Sequence, residues 1–178
     1  MHTFAVVLIP ESLSTREEIL DYIEERIAPH KHYFYIGMER TCECVRENGG
    51  VAKKTCNFCG GKGITRYNPN GRLDYWILGG RFNKYVHLLR YEPDTSFDIF
   101  MVELARSFAS SAGRVFHYGE HDSIEDNIGS KQNIHPEAIT FEYVDTDGKW
   151  VESHHPVNLA HLLEKYPGYC AAGIDYHS

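Results

Sequence analysis

The chain has 178 residues, with 18 Lys or Arg against 25 Asp or Glu, for a formal net charge of −7. A hydrophobic content of 42% with 24% charged residues excludes a wholly disordered chain, a collagen repeat and a coiled coil, and the length fits one domain with its own core. The longest apolar run, Phe4 to Ile9, is six residues with no basic segment before it; this is far below the ~18 of a membrane span and unlike a signal peptide, so the expectation is a cytosolic protein with no membrane partner.

In chain order, His2 to Ile9 reads as a buried strand ended by Pro10. Ser14-Thr15-Arg16-Glu17 fits a capping box in which the Ser14 hydroxyl and the Glu17 side chain would each satisfy the other's backbone N–H. Ile19, Ile23 and Ile27, with Leu20 beside them, then give one apolar helix face that ends at Pro29. Tyr33 to Ile36 reads as a strand, Thr41 to Gly63 as a glycine- and lysine-rich loop unsuited to a core, and Leu73 to Leu78 as a strand stopped by Gly79-Gly80. Phe97, Met101, Leu104 and Phe108 stand at helical spacing before Gly113. Val115 to Tyr118 reads as a short strand and Ser123 to Asn133 as a polar loop. Ile139 to Val144 and Lys149 to Glu152 flank Asp147-Gly148, which suits a two-residue hairpin turn with both residues at positive φ. Leu159, Leu162 and Leu163 mark a last helix before Pro167, and Tyr169 to Tyr176 a final strand. Strands and helices mix without strict alternation, which predicts an α+β fold with a single mixed sheet and two or three helices.

Charge is unevenly spread. Arg40 to Arg90 holds ten basic and three acidic residues, a net +7, which leaves −14 for the remainder. Two readings stay open: a basic module that attracts a phosphate-bearing ligand, and a solvated loop whose charges pair with acids elsewhere. The overall negative charge argues against a general nucleic-acid binder.

Four of the five cysteines fall within 18 residues, as Cys42-Glu-Cys44 and Cys56-Asn-Phe-Cys59. Two close thiolate pairs, one on each side of an ion, suit zinc, which accepts a tetrahedral sulfur set; four thiolates close the shell and make the site structural. A disulfide pair or redox thiols are the competing reading, disfavoured in an intracellular chain. Cys170, far from these in an apolar strand, reads as a buried small residue. Cys56 to Gly63 resembles one repeat of the cysteine-rich zinc domain of DnaJ-type co-chaperones, over about eight residues. Cys42 and Cys44 stand one residue closer than in that repeat. The resemblance implies a zinc knuckle, inserted at about residues 40–66 of a single 1–178 domain, and not a chaperone function.

Asp74-Tyr75-Trp76-Ile77-Leu78-Gly79-Gly80-Arg81-Phe82 is the second informative stretch. Gly79 and Gly80 would let a ligand approach the backbone, Arg81 would meet a phosphate or carboxylate, and Tyr75 or Trp76 would stack on a base. The alternative is a packed turn with Trp76 in the core and Arg81 paired to Asp74. Asp175 and His177 alternate around Tyr176, so in a strand both face one side as ligand-binding or acid–base groups. The N-terminal strand, the Gly-Gly-Arg-aromatic segment, a later Asp-Gly-Lys-Trp and the Asp-x-His ending together resemble small proteins encoded by tailed bacteriophages. The resemblance implies an accessory protein in the host cytoplasm that blocks or sequesters a host component, such as a nucleotide immune signal.

The leading expectation is thus a non-catalytic protein with a structural zinc that binds a phosphate-bearing small molecule or a host protein; self-association is open. The alternatives are a zinc-knuckle nucleic-acid binder, whose affinity would fall steeply with salt, and a metal-dependent hydrolase using His117, His121 and Asp122. Gly119 between those histidines argues against a shared helix face.

Overall fold

The computed structural model describes residues 1–32, 38–89, 123–134, 138–139, 141–153 and 155–178. The expected strand at Tyr33–Ile36, the helix through Phe97, Met101, Leu104 and Phe108, the strand at Val115–Tyr118 and the His117/His121/Asp122 cluster lie outside these residues. The chain divides into two units. One comprises Met1–Ile27 with Tyr75–Ser178, the other Ala28–Asp74. The second contains the expected 40–66 knuckle and extends beyond it on both sides.

The larger unit is built on β1 (His2–Pro10) and the last strand, β10 (Tyr169–His177), which pair antiparallel along their whole length from His2↔His177 to Pro10↔Tyr169. Their continuous apolar sequence follows from burial on both faces: Ala5, Val6, Val7 and Leu8 of β1, and Ala171, Ala172 and Ile174 of β10, are fully enclosed. The main sheet runs β4-β10-β1-β7-β8. β4 (Tyr75–Leu78) and β5 (Ile128–Gly129) both pair with β10, while β7 (Glu142–Val144) lies parallel to β1 and β8 (Trp150–Val151) antiparallel to β7. β6 (Ala138–Ile139) and β9 (Val157–Asn158) form a separate two-stranded pair. The fold is α+β with a mixed main sheet, not one sheet alone.

Helix α1 (Arg16–Ile27) buries Ile19, Ile23 and Ile27, the expected face. Its capping box is shifted by one residue from the expected Ser14/Glu17. Thr15 Oγ1 accepts from the Glu18 N–H at 3.2 Å, and Glu18 accepts from the Thr15 N–H at 3.0 Å. The Ser14 and Thr15 backbone N–H groups, both donating to its carboxylate, hold the Glu18 carboxyl below its ordinary range.

On the opposite face, Phe4, Val6, Leu8 and Ala171 meet the helix that contains Tyr85 and Val86, together with Ile134, Phe141, Leu159, Leu162 and Leu163. That helix is α3 (Tyr85–Leu88). Gly173 lets it dock closely, because a Cβ there would come within 2.7 Å of Val86.

Four local expectations change. Ser123–Asn133 is not a loop: it forms α4 (Ile124–Asn127), β5 and a 3-10 turn at Lys131–Asn133. The signal was missed because a single helical turn carries no period. The hairpin at Asp147-Gly148 is longer than two residues. Asp145 N–H bonds Lys149 C=O, Gly148 N–H bonds Asp145 C=O, and only Gly148 takes positive φ. Ile139 pairs in β6–β9 instead of this hairpin. The strand expected from Leu73 starts at Tyr75. The last helix, α5 (Leu159–Lys165), has Asn158 as its cap, accepting from the His161 N–H at 3.0 Å.

In the smaller unit, β2 (Met38–Thr41) and β3 (Ile64–Tyr67) form an antiparallel pair flanking α2 (Glu43–Glu47) and the cysteine loop. Buried Asn68 ties its ends: its side-chain amide donates to the Pro29 and Lys31 carbonyls. Among the described residues, no helix is long and apolar enough to cross a membrane.

Candidate metal centre and the Asp175 corner

The four cysteines meet. Cys42 follows β2 and begins α2, which carries Cys44; Cys56 and Cys59 sit in the turn before β3. Their sulfurs all lie within 4.8 Å of one another, with Cys42 to Cys56 at 3.7 Å and Cys44 to Cys59 at 3.6 Å. Disulfide sulfurs stand ~2.05 Å apart, so these pairs are not bonded. Four sulfurs placed tetrahedrally at ~2.3 Å from a central ion would be about 3.8 Å apart, close to the spacing found. The group can therefore hold a metal ion with little rearrangement.

The backbone supports this. Cys56 Sγ accepts from the Cys59 and Phe58 amides, which pull its thiol down to about 6. Gly61 and Gly63 amides reach Cys59, and the net effect, against burial, is a lowered thiol. The Lys53 amide also favours the Cys44 thiolate, but burial and the three neighbouring sulfurs outweigh it and push Cys44 up to about 12. The Cys44 amide and sulfur favour the Cys42 thiolate, but burial and the Cys56 and Cys59 sulfurs outweigh them and raise it. A metal ion removes this conflict by binding all four as thiolates. Gly61 makes the turn possible: it has φ +81°, and a Cβ would lie 3.2 Å from the Lys54 backbone.

The basic residues around the cluster partly neutralise within their own unit. Arg46 pairs with Glu43, Lys53 with Glu47 at 3.3 Å and Arg66 with Glu39 at 3.4 Å.

The other candidate residues gather around Asp175, which is 1% exposed on an inner strand. His2 pairs with His177 in the β1–β10 register, and His177 with Tyr75 in the β10–β4 register, so the three share one face at the end of the sheet. The His177 and Tyr75 rings stack at 5.3 Å, and His2 meets His177 edge-on at 5.1 Å. Asp175 Oδ1 lies 2.9 Å from His2 Nδ1, and Oδ2 accepts the Arg81 backbone N–H at 2.9 Å. The Tyr75 hydroxyl reaches His2 Nε2 at 3.4 Å. Both carboxylate oxygens are thus satisfied, and the His2 ring is held by its two nitrogens.

Two expected ligand contacts are placed differently. Trp76 is on the opposite face, since neighbours in a strand alternate; its indole N–H donates to Glu24 of α1 at 2.8 Å. The space over Gly79 and Gly80 is filled by protein. A Cβ on Gly79 would come within 2.6 Å of Asn127, and one on Gly80 within 2.5 Å of the Asp175 Cβ. The glycines let Asp175 and Asn127 approach the turn, where a ligand was expected. Gly80→Ala should therefore cost roughly 2–4 kcal/mol in urea unfolding, from left-handed strain plus overpacking. Gly168→Ala, also at positive φ but with nothing within 4 Å, should show the strain alone; equal losses would remove the packing argument.

Sequence reasoning missed two members. His2 carries no motif, and only the register with His177 brings it to Asp175. Asn127, fully buried, donates to Asn83 and the Ser123 carbonyl and accepts from the Lys84 N–H, which fixes the turn after Gly79. Cys170 is buried, its thiol pushed up to about 11 by burial, which suits an inert core residue. No family model, curated protein or solved structure matches this chain.

Proposed function

We propose that the chain is a non-catalytic binding protein, held together by a structural zinc, that captures a phosphate-bearing small molecule of nucleotide type at the Asp175 corner. The observation that carries this reading is one fully buried carboxylate, Asp175, bonded to His2 and to the Arg81 backbone N–H, with the Tyr75 hydroxyl and the His177 ring meeting His2 in turn. Burying a carboxylate costs several kcal/mol even when it is paired, and a hydrophobic residue would fill an inner strand at less cost. The Arg81 guanidinium supplies positive charge and planar donors for a phosphate, the two imidazoles supply ring nitrogens for hydrogen bonding, and Tyr75 supplies a ring face. Zinc is the ion of choice because four thiolates suit a borderline-soft cation and leave no position for water. The resemblance to small tailed-bacteriophage proteins supports an accessory role in which such capture sequesters a host signal.

A native mass spectrum of the protein purified from cells should show one zinc per chain and an added mass of nucleotide size. Arg81→Ala should lose that mass while thermal stability changes by no more than about 0.5 kcal/mol. The reading fails if the wild type carries no such mass and a panel of nucleoside mono- and diphosphates leaves the His2, Tyr75 and His177 ring resonances unmoved.

A further inference from the structure

The knuckle carries a feature that the Asp175 corner does not use. Phe58, between two metal ligands, is 88% exposed. A metal bound at Cys56 and Cys59 would fix the backbone on both sides of it, so the ring would be held out into water by a rigid turn. Phe58 borders an open pocket of about 430 Å³ whose lining includes Lys62, Ile64, Thr65 and Arg66, with Glu39 held to Arg66 in an exposed ion pair at 3.4 Å that a phosphate would displace at little cost. Ile64 is half exposed, and Lys62 forms no ion pair among the described residues. The charge of the unit points the same way. Ala28–Asp74 holds eight basic and four acidic residues, a net +4 within a chain of −7. A zinc tetrathiolate would lower this to +2, still opposite in sign to the remainder.

We propose that this face binds single-stranded nucleic acid, with one base stacked on Phe58 and the flanking phosphates on Lys62 and Arg66. An aromatic platform beside cations is the chemistry by which single strands are held, since every base offers a ring face. A duplex keeps its bases stacked and cannot offer one to Phe58. A purely apolar partner would leave Lys62 buried without a counter-charge. The acidic remainder weakens the attraction, so binding is salt-sensitive. This site is separate from the Asp175 corner, and its test does not depend on a ligand there.

The test is fluorescence anisotropy of the zinc-loaded full chain with a labelled oligothymidylate of about twelve nucleotides, within the usual site sizes. Two phosphate contacts on a single strand give a log–log salt slope near −1.4, an affinity loss of about sevenfold from roughly 50 to 200 mM salt. Phe58→Ala should weaken binding by about tenfold, the effect of losing one stacked base, with zinc content unchanged. Lys62→Ala should reduce the slope by about 0.7. The proposal is overturned by any of four results: no binding at the lower salt, equal binding of a duplex of the same length, Phe58→Leu binding as well as wild type, or sedimentation showing a dimer that Phe58→Ala converts to a monomer.

Discussion

Stripping a bound metal with a strong chelator, or replacing Cys59 with Ser, should unfold the β2–β3 pair and the cysteine loop while the β1–β10 pair stays folded. The reason is the composition of the knuckle's interior. Among the described residues, the apolar cluster there is Cys42, Cys44 and Cys59, with Val45 and Cys56 against it. Four cysteines and a valine bury far too little apolar surface to order a loop of this length, whereas structural zinc sites supply about 10–16 kcal/mol at neutral pH. Hydrogen exchange reports the outcome directly. Backbone amides of Met38–Thr41 and Ile64–Tyr67 should lose protection, and those of His2–Pro10 and Tyr169–His177 should keep it. Full protection of the β2–β3 pair after chelation would mean that the apolar contacts suffice.

The same site has a defined pH dependence. In the metal-free protein the Cys44 thiol lies at about 12 and Cys42 is also raised, so both are protonated at pH 7; Cys56, at about 6, is already mostly thiolate. Metal uptake must then displace at least two protons, and affinity should rise at least about a hundredfold per pH unit near neutrality. Acidification through pH 6 protonates Cys56 as well and weakens the site further. A pH-independent affinity would show that the thiols are not the ligands.

Replacing Asp175 with Ala should cost about 2–4 kcal/mol, from two hydrogen bonds that lose their acceptor at a buried position. The substitution leaves the His2 Nδ1 and Arg81 N–H partners without their acceptor, which is itself 1% exposed. Asp175→Asn keeps the shape and one acceptor oxygen, so it should lose less, yet its amide group meets one of the two donors wrongly. Urea unfolding measures both. Losses under about 0.5 kcal/mol in each variant would show that the carboxylate does not organise this corner.

The metal set was readable from spacing alone, because cysteine ligands close together in sequence remain close in space whatever the surrounding fold. The central strands were equally readable: a run such as Phe4–Ile9, apolar at every position, can only lie between two covered faces. The face of α1 followed from Ile19, Ile23 and Ile27. Its cap was misplaced by one residue, since Ser14 and Thr15 are both competent and the choice depends on which glutamate turns back.

The Asp175 corner was legible only in pieces. Asp175 and His177 alternate in sequence, and Tyr75 and Arg81 share one segment, but nothing along the chain connects them with His2. Strand register does so, and register is a long-range property fixed when side chains on both faces of the sheet find their partners. The same pairing sent Trp76 to the other face and filled the space over Gly79 and Gly80 with Asn127 and Asp175. The sequence by itself determined the cysteine set that can hold a metal, the central strands and the α+β class, because these rest on local spacing and local polarity. Tertiary structure alone decided which polar groups share a face and which glycines make room for protein instead of ligand, because those depend on residues far apart along the chain.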